Sequence, residues 1–158
     1  MRPTIHTWAM NIVKENAKRS TCLRRQVGCV LLNKRNHILA TGYNGVAAGL
    51  PHCNDVEYTT GRHPFACSGA ESPSGTNLDG CEAIHAEQNA LLQCRDVYEI
   101  QSCYVTCSPC MTCTKLLLNT SCENIYFMQD YTHTEAMELW TKAGRGWFLI
   151  PNMEGSDD

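Results

Sequence analysis

His85-Ala86-Glu87 and Pro109-Cys110-Met111-Thr112-Cys113 constrain this chain more than any other feature. Between them they supply an imidazole, two thiols and a carboxylate, and a fold that uses them together must bring two separated segments to one point. One nitrogen and two sulfur donors suit a tetrahedral zinc ion whose fourth position stays open for water, which marks catalytic rather than structural zinc. Cys110 and Cys113 lie three apart near an expected helix N-terminus. Both thiols then project to one side, where the helix dipole favours the thiolate. His85 starts the preceding helix, and Glu87, two residues on, faces the same cavity without ligating the metal. A structural zinc would want a fourth protein ligand, and a redox Cys-x-x-Cys pair would leave His85 and Glu87 unexplained.

The pattern H-x-E…P-C-x-x-C is the signature of zinc-dependent nucleobase deaminases. Zinc brings the pKa of a bound water towards neutrality. Glu87 is then placed to relay one water proton to a ring nitrogen, and later a second proton to the amino group that leaves as ammonia.

The bulk composition limits the partners. The 158 residues carry a net charge of −3, and no basic cluster exceeds Lys18-Arg19 or Arg24-Arg25. Extended nucleic acid normally requires a basic face, so it is not expected as a partner. With 43% apolar residues the chain can bury a single core, expected over residues 1–150. The residues 151–158 read as a solvated tail. No signal-peptide run or membrane-spanning stretch is visible. Eleven cysteines without a secretion signal point to metal ligation in a reducing, cytoplasmic setting.

Apolar spacing predicts a helix from Ile5 to Ala17 and a hairpin of strands, 27–32 and 37–41. A helix is expected from Ala86 to Tyr98 and a strand over 102–106. A further helix is capped by Ser108, opened by Pro109 and runs to about Leu118. A strand at 124–128, a helix at 134–143 and a strand at 147–150 complete the pattern. The alternation implies an α/β fold of three layers, α/β/α, around a mixed sheet of about five strands. Residues 45–80 form a Cys-, Gly- and Pro-rich insert that must be tied down to persist without regular structure. Cys29, Cys94 and Cys103 read as small core residues.

Four segments resemble the deoxycytidylate (dCMP) deaminase family, particularly its phage-type members. They are Arg25-Gln26-Val27-Gly28-Cys29-Val30, Thr41-Gly42-Tyr43-Asn44-Gly45, Ile84-His85-Ala86-Glu87-Gln88-Asn89-Ala90 and Tyr104-Val105-Thr106-Cys107-Ser108-Pro109-Cys110. The resemblance spans about residues 4 to 150. It implies a cytidine-deaminase-like fold, homo-oligomers that are often hexamers, and conversion of dCMP to dUMP for thymidylate supply. A cytoplasmic location follows, in the host if the chain is phage-encoded. By the same resemblance Asn44 meets the deoxyribose and the Ala86 amide meets the pyrimidine. Thr106 and Ser108 line the pocket, Arg25 lies near the phosphate, and Tyr131 borders the nucleotide. Regulation by dCTP and dTTP is a further family trait, for which no matching set of contacts stands out. The alternatives are a dual dCMP/dCTP deaminase and, disfavoured by the charge, a tRNA or single-stranded nucleic-acid deaminase.

Some members of this family hold a second, structural zinc. Cys22 and Cys53 match ligand positions of phage-type relatives, which complete that site with histidines from the insert. Ala83 stands where one histidine is expected. Cys67 and Cys81 are then the candidates to complete a four-cysteine site, with His52 and His63 as rival ligands.

Overall fold

The computed structural model describes residues 1–57, 60–70, 72–73, 76, 80–130 and 134–151. Helix α1 (Ile5–Ala17) opens at Thr4, whose hydroxyl accepts the Thr7 N–H at 3.2 Å. Its buried side carries Ala9, Met10, Val13 and Ala17. Strands β1 (Gly28–Leu32) and β2 (Ile38–Tyr43) form an antiparallel hairpin. At its turn, Asn33 Oδ1 accepts the N–H groups of Arg35 and His37, and Asn36 adopts a left-handed φ of 61°.

Helix α2 (Ala86–Gln93) precedes β3 (Ser102–Cys107), and α3 (Met111–Leu118) links β3 to β4 (Asn124–Gln129). Helix α4 (Glu135–Lys142) leads to β5 (Gly146–Leu149). The sheet runs β2-β1-β3-β4-β5, with β1 antiparallel to both neighbours and β3, β4 and β5 mutually parallel. This is the mixed, three-layer sheet expected from the helix and strand alternation.

Side-chain alternation along the central strands separates two cores. Val30, Leu32 and Tyr104 pack under α1, with Ala9, Met10 and Val13. Cys29, Leu31, Cys103, Val105, Ile125 and Phe127 face the other way, against Ala86, Ala90, Leu117 and Trp140. Two glycines set how closely the helices approach. A Cβ on Gly28 would meet the Val13 carbonyl oxygen of α1, and one on Gly42 would meet the Ala86 carbonyl oxygen of α2. Arg145 closes the far end of α3, its guanidinium donating to the Leu117, Leu118, Thr120 and Cys122 carbonyls.

Three local expectations need correction. The helix from Ala86 stops at Gln93 rather than Tyr98. Asp96 accepts the Tyr98 N–H at 2.9 Å and starts a separate 3-10 turn over Val97–Glu99, a side-chain bond that competes with helix continuation. Helix α3 is capped by Cys110 rather than Ser108. The Ser108 N–H donates to the Gln129 carbonyl at 2.9 Å, so its backbone still belongs to the β3–β4 edge. Cys29 and Cys103 are buried, but Cys94 is only half-buried at the margin of the core.

The insert is pinched shut at its base, where Gly45 and Ile84 exchange backbone hydrogen bonds of 3.1 and 2.7 Å. Inside it Cys53 and Cys67 are buried, and the Arg24 guanidinium donates to the Pro73 and Thr76 carbonyls. From residue 152 the expected tail lies outside the described residues, as does Tyr131. Among the described residues no helix is long and apolar enough to cross a membrane.

Candidate active site

The two halves of the sequence signature meet beyond the carboxyl end of β3. His85 is the N-cap of α2 and Cys110 the N-cap of α3, so both helices point their N-termini at one place. His85 Nδ1 lies 3.5 Å from Cys110 Sγ and 3.3 Å from Cys113 Sγ. The ligand atoms of the three residues all fall within 4.8 Å of one another. Gln88 Oε1 accepts the His85 backbone N–H at 2.9 Å, and Asn89 Nδ2 donates to the Tyr43 carbonyl at 2.8 Å. These bonds fix the start of α2 to itself and to the end of β2.

Electrostatics favour a soft cation here. The Cys113 thiol hydrogen-bonds to Cys110 and, with His85 and the Cys113 backbone N–H, outweighs burial to bring the Cys110 thiol down to about 4. The same bond to Cys110, then burial, pushes Cys113 up. One shared proton leaves the negative charge on Cys110; the hydrogen bond with Cys110, then that charge, outweighs burial and raises His85. An imidazole nitrogen, a thiolate and a thiol that readily loses its proton to a metal are a zinc donor set with room for a fourth ligand.

Glu87 sits beside this triad, 4% exposed. Burial raises its carboxyl above the ordinary value, opposed by a hydrogen bond with Cys113 and by the charge of His85. His85, Glu87 and Cys110 line a cavity of about 110 Å³. Arg25, Asn44, Ala86 and Ser108 line it, as do Cys22 and Cys81. Thr106 does not: its hydroxyl accepts the Gly28 N–H at 2.9 Å, because it is spent on extending the β1–β3 pairing.

Other residues on the wall carried no separate signal in the sequence. Arg24, Val27, Ala83 and Cys107 all line the cavity. Burial, then the nearby Glu87 charge, pushes the Cys107 thiol up to about 12, while the adjacent Arg25 guanidinium pulls the other way. Gln88 was readable in retrospect, since a Gln three residues after an N-cap is the capping-box pattern.

The insert cysteines gather without closing. Cys53 and Cys67 are hydrogen-bonded, and Cys22 lies within electrostatic reach of Cys53 and Cys81. Among the described residues, however, only the His85, Cys110 and Cys113 group brings its ligand atoms within 4.8 Å. His52 and His63 are exposed.

A His/Cys/Cys triad at two converging helix N-termini, beside a buried carboxyl on a mixed five-stranded sheet, defines a zinc-binding domain of cytidine-deaminase-like fold. Residues 3–129 match the model of the cytidine and deoxycytidylate deaminase zinc-binding region, and the chain belongs to that family. It is 35% identical to a deoxycytidylate deaminase of Schizosaccharomyces pombe, over 86% of this chain and 41% of the yeast protein. It is 33% identical to a deoxycytidylate deaminase of Mycobacterium phage D29, over 82% of this chain and 98% of the phage protein. The dCMP deaminase of cyanophage S-TIM5, solved with dCMP and dUMP, superposes with a TM-score of 0.70 at 24% identity, covering 95% of this chain and 99% of that one. That last likeness is one of fold. The chain spans less than half the length of the yeast relatives it matches.

Proposed function

We propose that this chain hydrolyses the amino group of dCMP, converting dCMP and water to dUMP and ammonia. The observation that carries the reading is the buried Glu87 carboxyl in one cavity with His85 and Cys110, whose donor atoms lie within 4.8 Å of each other and of Cys113. The near full-length match to the mycobacteriophage deoxycytidylate deaminase supports the substrate.

His85, Cys110 and Cys113 would hold the zinc, which would supply Lewis acidity to activate the attacking water. Glu87 does the proton work at a carboxylate oxygen. Its raised pKa suits a group that takes one proton from water for the ring nitrogen, then takes the remaining proton of the added hydroxyl and delivers it to the departing amine. The Ala86 backbone N–H at the start of α2 and the Ser108 side chain orient the pyrimidine. Asn44 and Arg25 serve the sugar-phosphate end, and Tyr131 borders the nucleotide from outside the described residues.

The surrounding assignments belong to the same reading. Residues 1–150 act as one deaminase domain with its insert at 45–80, followed by a solvated tail. Cys22, Cys53, Cys67 and Cys81 hold a second, structural zinc that anchors the insert, supported by the burial of Cys53 and Cys67 and the hydrogen bond between them. The enzyme works in the cytoplasm as a homo-oligomer, a hexamer by analogy, with dCTP and dTTP as effectors.

The test is loss of cytosine absorbance with dCMP, dCTP, cytidine and a cytosine-containing oligonucleotide. The zinc-loaded protein is expected to prefer dCMP, and Glu87→Gln to keep its zinc while losing about 10²–10⁴-fold in turnover. A zinc-loaded protein inert towards every free nucleotide overturns the reading.

A further inference from the structure

Asn44 follows β2 directly, lines the cavity and is 7% exposed. A carboxamide in such a wall invites the view that it grips a ligand, yet both of its ends are already engaged by backbone. Oδ1 accepts the Val27 N–H at 2.9 Å, and Nδ2 donates to the Arg25 carbonyl at 2.7 Å. A third bond runs from the Asn44 backbone N–H to the Val27 carbonyl at 3.2 Å. Together these bracket Gln26 and fix the path of residues 25–27, which lie outside any helix or strand.

That path matters for what it delivers. Arg25 lines the cavity, with its guanidinium hydrogen-bonded to the Cys107 thiol, another residue of the wall. The amide orientation of Asn44 is set by its partners: a donor faces Oδ1 and an acceptor faces Nδ2. A carboxylate would lose the donor and a shorter side chain would lose both contacts. The residue is chemically matched to holding backbone.

We infer that Asn44 is a positioning residue, which presets Arg25 in the cavity so that its guanidinium meets the phosphate of the nucleotide. The inference rests on the proposed role of Arg25 at the phosphate. It departs from a direct grip on the sugar, because the carboxamide already spends a donor and an acceptor on the backbone of residues 25 and 27. A guanidinium whose backbone is already fixed loses less freedom when the anion arrives, so more of the ion pair is expressed as affinity.

The test measures how much the phosphate adds to binding, from the affinities of zinc-loaded protein for dUMP and for deoxyuridine by calorimetry. Wild type is expected to favour dUMP by about 30–100-fold, on the order of one charge-assisted contact. Arg25→Ala is expected to remove most of that preference. Asn44→Ala should lower it about tenfold, and in the Arg25→Ala background it should lower it no further. A merely structural defect, or a direct contact with the sugar, weakens both ligands alike and leaves the ratio intact; that result overturns the inference. If wild type shows no preference for dUMP, the phosphate role of Arg25 falls and the inference with it. Should Asn44→Ala not fold, Asn44→Ser replaces it. A dUMP-bound crystal structure of the wild type gives a check free of substitutions. There the bonds from Asn44 to Arg25 and Val27 should persist, and their replacement by a bond to deoxyribose overturns the proposal.

Discussion

Gln88 Oε1 accepts the backbone N–H of His85 at 2.9 Å, so the helix that carries Glu87 is capped by a residue only one position beyond it. The bond satisfies one of the free donors at the helix start and fixes the backbone from which the His85 imidazole extends. Gln88→Ala is therefore expected to cost about 1 kcal/mol of stability, a melting shift of roughly 2–4 °C for a domain of this size. It should also weaken zinc retention against a competing chelator. Thermal melts and a chelator titration check the two effects. An unchanged zinc affinity would separate the cap from the metal centre.

The metal-free protein should betray its site through one thiol. Cys110 is brought down to about 4 by the Cys113 thiol and His85, whereas Cys113 is driven up by the same pairing. At pH 6 to 7, zinc-stripped protein is expected to react with iodoacetamide first at Cys110, which is also the more accessible of the two. Zinc should protect it. Peptide mapping by mass spectrometry after a short pulse reads the order, and prior labelling of Cys113 would contradict the charge assignment.

The legible part of this chain was the part dictated by period and by donor type. The apolar spacing of Ile5 to Ala17 located α1, and the alternation of strands and helices located the layers, because burial on one face leaves that signature in any sequence. His85, Cys110 and Cys113 stood out because their side chains have few other uses in such spacing. What escaped notice depends on tertiary pairing. Ser108 has the composition of an N-cap, but its N–H is claimed by Gln129 across the sheet, and the cap falls to Cys110. Thr106 belongs to a motif shared with the resembling family, yet its hydroxyl is taken by Gly28, a residue 78 positions away. Arg24 and Cys107 enter the cavity only because the segment before β1 and the end of β3 converge there.

Gly42 should tolerate no side chain. A Cβ there would run into the Ala86 carbonyl oxygen and come within 2.6 Å of the Ala90 nitrogen, both backbone atoms of α2 that cannot swing aside. Gly42→Ala must push α2 off the sheet, at a cost of about 1–3 kcal/mol by comparison with other overpacked cores. Because His85 and Glu87 ride on that helix, turnover and zinc occupancy should fall together with the urea midpoint. Full activity in a destabilised Gly42→Ala protein would show that α2 can move without disturbing its catalytic end.

The last prediction concerns alkaline pH and the thiols beneath the site. Cys29 and Cys103 sulfurs lie 3.6 Å apart across β1 and β3. Their mutual hydrogen bond, then burial, holds Cys103 well above the ordinary thiol value of 9.0. The bond lowers its partner Cys29, but burial and the Glu87 charge leave Cys29 raised overall. Burial likewise raises Cys122. Below about pH 9 these thiols keep their protons in both folded and unfolded chains, and their contribution to stability is complete. Above it the unfolded chain releases protons that the folded chain retains. Unfolding is then favoured by about 1.4 kcal/mol per pH unit for each such thiol, until the folded value is reached. Urea midpoints measured at pH 8, 9 and 10 should stay level over the first interval and drop over the second. Cys122→Ala should make that drop shallower by about one thiol's share, whatever it does to the midpoint at pH 8. An identical alkaline slope in the variant would mean that Cys122 already ionises in the folded state.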